Sequence, residues 1–281
     1  MTAHRSLILD VYGAYARPLS GWLAVADLVR LMGDLGQDHA AARSATSRMK
    51  KAGLLAADTR GGAAGYSLTP AALDLLRAGD ARIFASTVVA DTDADADPGS
   101  GTAWVLAVFS VPEHRREHRH QLRSVLGRLG FGQLAPGVWL APARARVDAE
   151  RALARADLTR YVTLFEGAIV GFAPAPALVA RTWDLEALAG RHTAFCAEHA
   201  PPLATWRRRR QPTDRDAFVA YTSALADWRR LVYLDPGLPA GLLPPRWPGG
   251  RSRRLFDTIA GELGAPASRH VAAVVARRPA A

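Results

Sequence analysis

The sequence predicts an α+β, multidomain protein, and three observations carry that prediction. Residues 1–85 repeat apolar side chains at helical spacing and then show two short apolar runs parted by glycines. Residues 102–172 alternate strand-like apolar runs with amphipathic helices. Residues 173–281 hold long helical stripes divided by proline-rich turns. With 281 residues, 49% of them apolar, the chain has material for two or three cores.

The first region reads as three helices and a hairpin. Ile8, Val11, Tyr12 and Tyr15 mark a first helix that ends near Pro18. Ser20 offers a cap for a second, whose apolar face is Trp22, Val25, Leu28, Leu31 and Met32. Gly33 and Gly36 bracket a tight connection to a third helix, Asp38 to Ala52, capped by Asp38 and closed by Gly53. Leu54 to Arg60 and Gly65 to Thr69 form a β-hairpin around Gly61-Gly62-Ala63-Ala64, with Arg60 at its base and Tyr66 packing inward. Thr69-Pro70 starts a further helix running to about Phe84. This order is that of an N-terminal winged helix-turn-helix domain.

The third helix carries the chemistry. On a helical wheel Ala41, Ala42, Ala45, Met49 and Ala52 make a narrow apolar face that allows close packing. Arg43, Ser47 and Lys50 lie opposite, with Ser44, Thr46, Arg48 and Lys51 beside them. Cations and hydroxyls in that pattern suit DNA: Arg43, Ser44, Ser47 and Lys50 toward base edges, Arg48, Lys51 and Arg60 toward phosphates, with Thr46 in the same DNA-facing set. Taken alone, such a face equally describes a solvated helix. Its place between a packed helix and a hairpin is what makes it a recognition helix.

Residues 86–101 are acidic and poor in apolar groups, a composition that reads as a linker. The aspartates there lack the later glutamate of a calcium loop. Residues 102–172 then read as a ferredoxin-like domain. Trp104 to Phe109, Val138 to Leu140 and Tyr161 to Phe165 are its expected strands. One helix follows a capping box at Ser110–Glu113 and carries Leu122, Val125, Leu126 and Leu129; another spans Arg146 to Ala156. His114 and His118 have a zinc-compatible spacing, but the arginines around them repel a cation, and a solvated basic face, open to DNA phosphates or a partner subunit, explains the stretch better. No metal site and no cofactor is expected.

Residues 173–281 read as a helical C-terminal domain suited to dimerisation or an effector. Leu185, Leu188, His192 and Phe195 define one helix, with His192 at a core edge. Phe218, Tyr221, Leu225, Trp228 and Val232 define a long one, and Arg251 to Gly264 a last one. Between the first two, Trp206 to Arg210 reads as an exposed loop. Arg207, Arg208, Arg209 and Arg210 form a candidate clamp for the phosphates of an effector. Arg229 and Arg230 could join it, although pairing with Asp235 or a helix C-terminus accounts for them equally well.

The 36 basic against 26 acidic residues, a formal charge of +10, favour an anionic partner. Part of that excess reflects a general arginine bias, since Lys50 and Lys51 are the only lysines. Cys196 is the only cysteine, so no internal disulfide can form. No apolar run reaches the roughly 18 residues of a membrane span and the N-terminus lacks a signal-peptide layout, so the expected compartment is the cytoplasm.

From end to end the chain resembles the PaaX family, bacterial repressors of phenylacetate-degradation operons. The motifs are Arg-Ser-Ala-Thr-Ser-Arg-Met at 43–49, Gly-Tyr-Ser-Leu-Thr at 65–69 and Leu-Gly-Phe-Gly-Gln-Leu-Ala-Pro-Gly-Val-Trp-Leu-Ala-Pro at 129–142. They continue with Trp-Asp-Leu at 183–185, Trp-Arg-Arg at 228–230, Asp-Pro-Gly-Leu-Pro at 235–239 and Leu-Leu-Pro-Pro-Arg-Trp-Pro-Gly at 242–249. The resemblance implies a repressor that binds operator DNA as a homodimer and is released by an aromatic acyl-coenzyme A, phenylacetyl-CoA in the type members. Three departures stand out: a wing without basic residues at Gly61–Ala64, Leu231-Val232 in place of an aromatic-proline pair, and His192 in place of a tyrosine. An enzyme is the rival reading, because the central domain also resembles the small CRISPR-adaptation nucleases. Those hold a metal with an acid at the end of the first strand. Here that strand ends Val108-Phe109-Ser110, so a non-catalytic protein is expected.

Overall fold

The computed structural model describes residues 3–84, 103–172 and 174–277, so the acidic segment 86–101 lies outside the described residues. The described chain mixes helix and sheet and falls into two units that are not consecutive stretches. One unit draws on the N-terminal segment through Phe84, on Thr193–Arg229 and on the chain from Gly250 onward. The other draws on the chain up to His192 and on Arg230–Gly249.

The first unit begins with α1 (Ala3–Val11), which continues through a wide turn at Tyr12–Ala16 and a tight one at Arg17–Leu19, so the helical segment ends near Pro18 as expected. Ser20 caps nothing. It sits at φ 123°, and the next three residues form a strand, β1 (Trp22–Ala24), before α2 (Val25–Asp34) starts without a side-chain cap. All three strand residues are buried, and their backbone groups are satisfied by β3 below. A three-residue strand is too short to show a period, which is why its residues read as helix. Then comes α3 (His39–Lys51), where the Asp38 carboxylate accepts from the Ala41 N–H at 2.8 Å and Gly53 follows with φ +70°.

β2 (Leu55–Arg60) and β3 (Ala63–Leu68) pair antiparallel with Arg60 opposite Ala63. The turn is therefore Gly61-Gly62 alone, with φ of +52° and +71°, and not the four-residue loop expected. Two residues of positive φ make a type I′ turn, which only glycine-like residues adopt without strain. Arg60 consequently stands beside the turn, not at the base of the hairpin. α4 (Pro70–Ile83) starts as expected, with the Thr69 hydroxyl accepting from the Ala72 N–H at 3.2 Å.

The second unit contains β4 (Trp104–Phe109), α5 (Arg116–Arg128), β5 (Gly132–Ala135), β6 (Val138–Pro142), α6 (Arg146–Arg155) and β7 (Val162–Gly167). The sheet order is β5-β6-β4-β7, all antiparallel, which is the split β-α-β-β-α-β arrangement. β5 was not foreseen: a four-residue strand that opens with Gly132 reads as helix stop and turn. The expected capping box does not form either. Pro112 leads into a tight turn at Glu113–Arg115, α5 begins only at Arg116, and the Ser110 N–H is spent on the Tyr161 carbonyl. Val105, Ala107, Leu122, Leu126, Ala149 and Leu153 fill the space between sheet and helices. On the other sheet face Trp104 and Leu140 pack with Val179 of α7 (Ala175–Thr182) and with Leu238 and Leu242.

The C-terminal part is helical. α8 (Leu185–Arg208) includes Pro201 and Pro202 and ends in Trp206-Arg207-Arg208, so the expected arginine loop is largely the last turn of a helix. α9 spans Asp214–Leu234, and α10 runs Gly249–Ala276, well beyond Gly264. Phe256, Ile259, Leu263, Ala267, Val271 and Val274 keep one buried line along α10.

Gly65 marks the tightest point of the first unit's sheet. A Cβ there would lie 2.5 Å from the Leu23 carbonyl oxygen and from the Trp22 ring. Gly65→Ala is expected to destabilise that unit by about 1–3 kcal/mol, the usual cost of overpacking. Chemical denaturation of the variant against the parent measures it.

Candidate nucleic-acid interface

α3 is held on its apolar side by α1 and α2. Ala42, Ala45 and Met49 are fully buried there, whereas Ala41 is half-buried and Ala52 exposed. Thr46 belongs with the buried group. It is 4% exposed, and its hydroxyl donates to the Ala42 carbonyl at 2.8 Å. A threonine bonded back to its own helix cannot face DNA, so Thr46 leaves the DNA-facing set.

The other expected positions of α3 are exposed: Arg43, Ser44, Ser47, Arg48, Lys50 and Lys51. Arg48 lies along the helix and donates to the Ser44 hydroxyl at 2.7 Å. Arg43, Ser47, Lys50 and Lys51 have no hydrogen-bond or ion-pair partner among the described residues. Arg48, Lys50 and Lys51 fall in the last turn, where positive charge suits the carbonyl end of the helix. The first turn is set by Asp38, whose carboxyl the Ala41 N–H holds below the ordinary value.

Arg60 is less available. Its guanidinium bonds Asp58 at 2.9 Å, Ser20 at 3.3 Å and Ser67 at 3.2 Å, and lies 5.5 Å over the Trp22 ring. Ser67 and then Arg60 hold the Asp58 carboxyl below its ordinary value. The side chain is still 44% exposed, but it is oriented across the sheet, with its charge shared. Tyr66 is half-buried, and its carbonyl accepts from the Tyr12 hydroxyl.

The candidate effector arginines do not form one cationic group. Arg207 makes a bidentate pair with Glu262, and Arg209 pairs with Asp216. Arg229 meets Asp10 at 3.1 Å, with side-chain exposures of 14% and 4%. Asp235, the partner expected for Arg229, instead accepts from the buried His192 at 3.1 Å and from the Gly237 N–H at 2.6 Å. Arg230 is exposed and belongs to the other unit. Arg208 and Arg210 are exposed and unpartnered among the described residues. These pairings join residues 43 to 219 positions distant from one another or fold a loop back on itself, so no local spacing announces them.

Of the two histidines with zinc-like spacing, His114 is exposed and His118 packs on Tyr161 with ring centroids 5.3 Å apart. Among the described residues a different trio approaches metal-ligand geometry. Glu198, His199 and Asp227 bring one donor each to within 4.8 Å of the others. The His199 Nε2 already bonds Asp227 at 3.2 Å, which suffices to account for the buried imidazole.

Asp34, at the end of α2, anchors the helix pair from behind. Its carboxylate takes Arg215 at 2.6 Å and His270 at 2.8 Å. Burial works against its ionisation, but the hydrogen bonds from Arg215 and His270 prevail and hold the carboxyl below the usual 3.8.

Residues 3–72 match the family described as PaaX-like protein, residues 99–179 the PaaX protein central Cas2-like domain, and residues 183–273 the PaaX-like protein C-terminal domain. The chain belongs to the PaaX family. It is 26% identical over 258 residues to the transcriptional repressor PaaX of Escherichia coli K12, covering 90% of this chain and 78% of that one. A solved structure, the uncharacterized protein Rv0674 from Mycobacterium tuberculosis, superposes with a TM-score of 0.57 at 23% identity, covering 92% of this chain and 96% of that one. That second likeness is one of fold. No helix among the described residues of this PaaX-family chain is long and apolar enough to cross a membrane.

Two measurements check this electrostatic picture. Removing one partner of the Asp10–Arg229 pair with Arg229→Ala is expected to cost about 3–5 kcal/mol, because it takes the guanidinium from a buried carboxylate. Arg43→Ala should stay within about 0.5 kcal/mol, as an exposed substitution does. For Asp34, a depressed carboxyl contributes stability that is complete above its unfolded value and is lost as pH falls through its folded value. Denaturation midpoints should therefore drop faster below about pH 4 in the parent than in Asp34→Asn.

Proposed function

We propose that this chain is a transcriptional repressor that binds double-stranded operator DNA, with residues 1–85 acting as a winged helix-turn-helix domain. In this reading α3 is the recognition helix and the β2–β3 hairpin is the wing. The observation that carries it is the outward face of α3: Arg43, Ser47, Lys50 and Lys51 stand exposed and unpartnered among the described residues, on a helix that buries Ala42, Ala45 and Met49 on its opposite side. An α-helix with its side chains is about 10–12 Å across, which fits the roughly 12 Å width of the major groove. Arg43, Ser44, Ser47 and Lys50 face base edges, while Arg48, Lys51 and Arg60 hold phosphates. Arg60 contributes the least, because Asp58 already shares its charge. More of the affinity rests on α3 than in a winged protein with a basic hairpin.

The protein works in the cytoplasm as a homodimer on a pseudo-palindromic site with half-sites about one helical turn, or a multiple, apart. An aromatic acyl-CoA, or a related small molecule, releases it. The E. coli relative's name as a repressor supports regulation over catalysis, and the first strand of the Cas2-like domain ends in Val108 and Phe109, neither of which can hold a metal. For the effector's phosphates, Arg208 and Arg210 are the best placed of the candidate arginines, since Arg207, Arg209 and Arg229 have acids of their own.

Two experiments test this. Duplexes enriched from a random library by the parent protein should bind the Arg43→Ala, Lys50→Ala double variant at least about a hundredfold more weakly, with dimer mass and fold unchanged. Undiminished affinity for those duplexes would sink the recognition-helix reading. Calorimetry with a panel of aromatic acyl-CoAs and free acids should find one that binds and weakens the DNA complex, and Arg208→Ala with Arg210→Ala should weaken that binding. If no compound of the panel binds, the effector reading fails while DNA binding stands.

A further inference from the structure

Several arginines of the second unit are tied to acids. Arg146 meets Glu150 and Glu166, Arg160 meets Asp157, and Arg119 donates to the Val111 carbonyl and to Glu113. α5 carries a line that differs. Leu122, Val125 and Leu126 turn into the core, and Arg116, His120 and Arg123 follow one another on the opposite side at i, i+4 and i+7. All three are exposed, as is Arg115 just before the helix. None of these four has a hydrogen-bond or ion-pair partner among the described residues. Glu117 is the acid nearest in sequence, but it is about 100° round the helix from Arg116 and so stands beside the line instead of within it.

At about 1.5 Å per residue, the line from Arg116 to Arg123 is about 10 Å long. That matches the axial span of about three phosphates on one strand of a duplex. The unpaired guanidinium groups of Arg115, Arg116 and Arg123 repel one another in the free protein, and a polyanion relieves that repulsion while releasing its own counterions. Guanidinium groups also fork phosphate oxygens, so arginine suits the role better than a point charge would.

We infer that the outer face of α5 is a second, sequence-independent contact of this protein with the DNA backbone, made by Arg115, Arg116, His120 and Arg123. It rests on the reading of α3 as a DNA-binding helix and extends it: α3 selects the site, and α5 adds affinity without selectivity.

The test uses the full chain and a random-sequence 40-base-pair duplex, with affinity measured by anisotropy across a range of salt. Arg116→Ala with Arg123→Ala should weaken binding about tenfold or more at low salt. It should also lower the slope of log affinity against log salt by about 2, the loss of two phosphate contacts. Arg116→Lys with Arg123→Lys should keep most of the slope. Arg181→Ala with Arg191→Ala removes the same charge from other exposed positions of this unit and should leave the slope unchanged. The inference is overturned if the first variant keeps the parental slope, if the lysine variant falls as far as the alanine one, or if the control falls equally. It is also overturned if the alanine variant instead loses dimer mass, or if a duplex RNA of the same length binds more tightly through these residues. A parent protein that enriches no duplex from a random library defeats the α3 reading itself, whereas normal enrichment with an unchanged slope defeats only the α5 contact.

Discussion

The close seating of α3 is the constraint from which the rest of the N-terminal geometry follows. Ala42 and Ala45 bring only methyl groups to the interface, so α1 and α2 approach the helix nearly to its backbone, and Met49 fills the remaining gap. Once that face is fixed, the opposite face is fixed with it. The residues at 43, 47 and 50 have no packing role left, and their charges and hydroxyls point to solvent. Larger side chains at 42 or 45 would push the helix outward and uncouple its polar face from the fold behind it. Thr46 shows the same constraint: it falls on the inward side and turns its hydroxyl back to its own helix.

Charge in this protein is sorted by tertiary pairing. Arg207, Arg215, Arg229 and Arg269 are all spent on acids from distant parts of the chain, and they hold helices together. Exposed pairs of this kind contribute little each, whereas the buried Asp10–Arg229 pair is expensive to break on one side only. The arginines that stay unpartnered are therefore more informative than the total. On α3 and on α5 they line one side of a helix whose other side is core, and the two proposed DNA contacts rest on that pattern.

Much of this was legible from the residues. The Asp38 cap, the Gly53 stop, the Thr69-Pro70 start and the apolar stripes of α3, α5 and α9 are local signals, and each depends on a few neighbouring residues. Elements without a local signal were missed. β1 and β5 are too short to show alternation and exist because a neighbouring strand supplies their hydrogen bonds. The capping box at Ser110 has the right letters, but Pro112 and a tight turn displace the helix start by several residues. The Gly61-Gly62 turn is shorter than composition suggests, because pairing continues through Ala63 and Ala64.

The sequence by itself determined the α+β class, the positions of the long helices and the polar face of α3, because periodicity and capping act over a few residues. It also carried the family resemblance in uncommon motifs spread over the whole length. Only the tertiary structure decided which cations remain available. Whether Arg60, Arg207 or Arg229 is a ligand-binding group or a brace depends on Asp58, Glu262 and Asp10, and two of those three acids lie far away in sequence. Ion pairing acts through space between side chains that folding brings together, and no spacing along the chain encodes it.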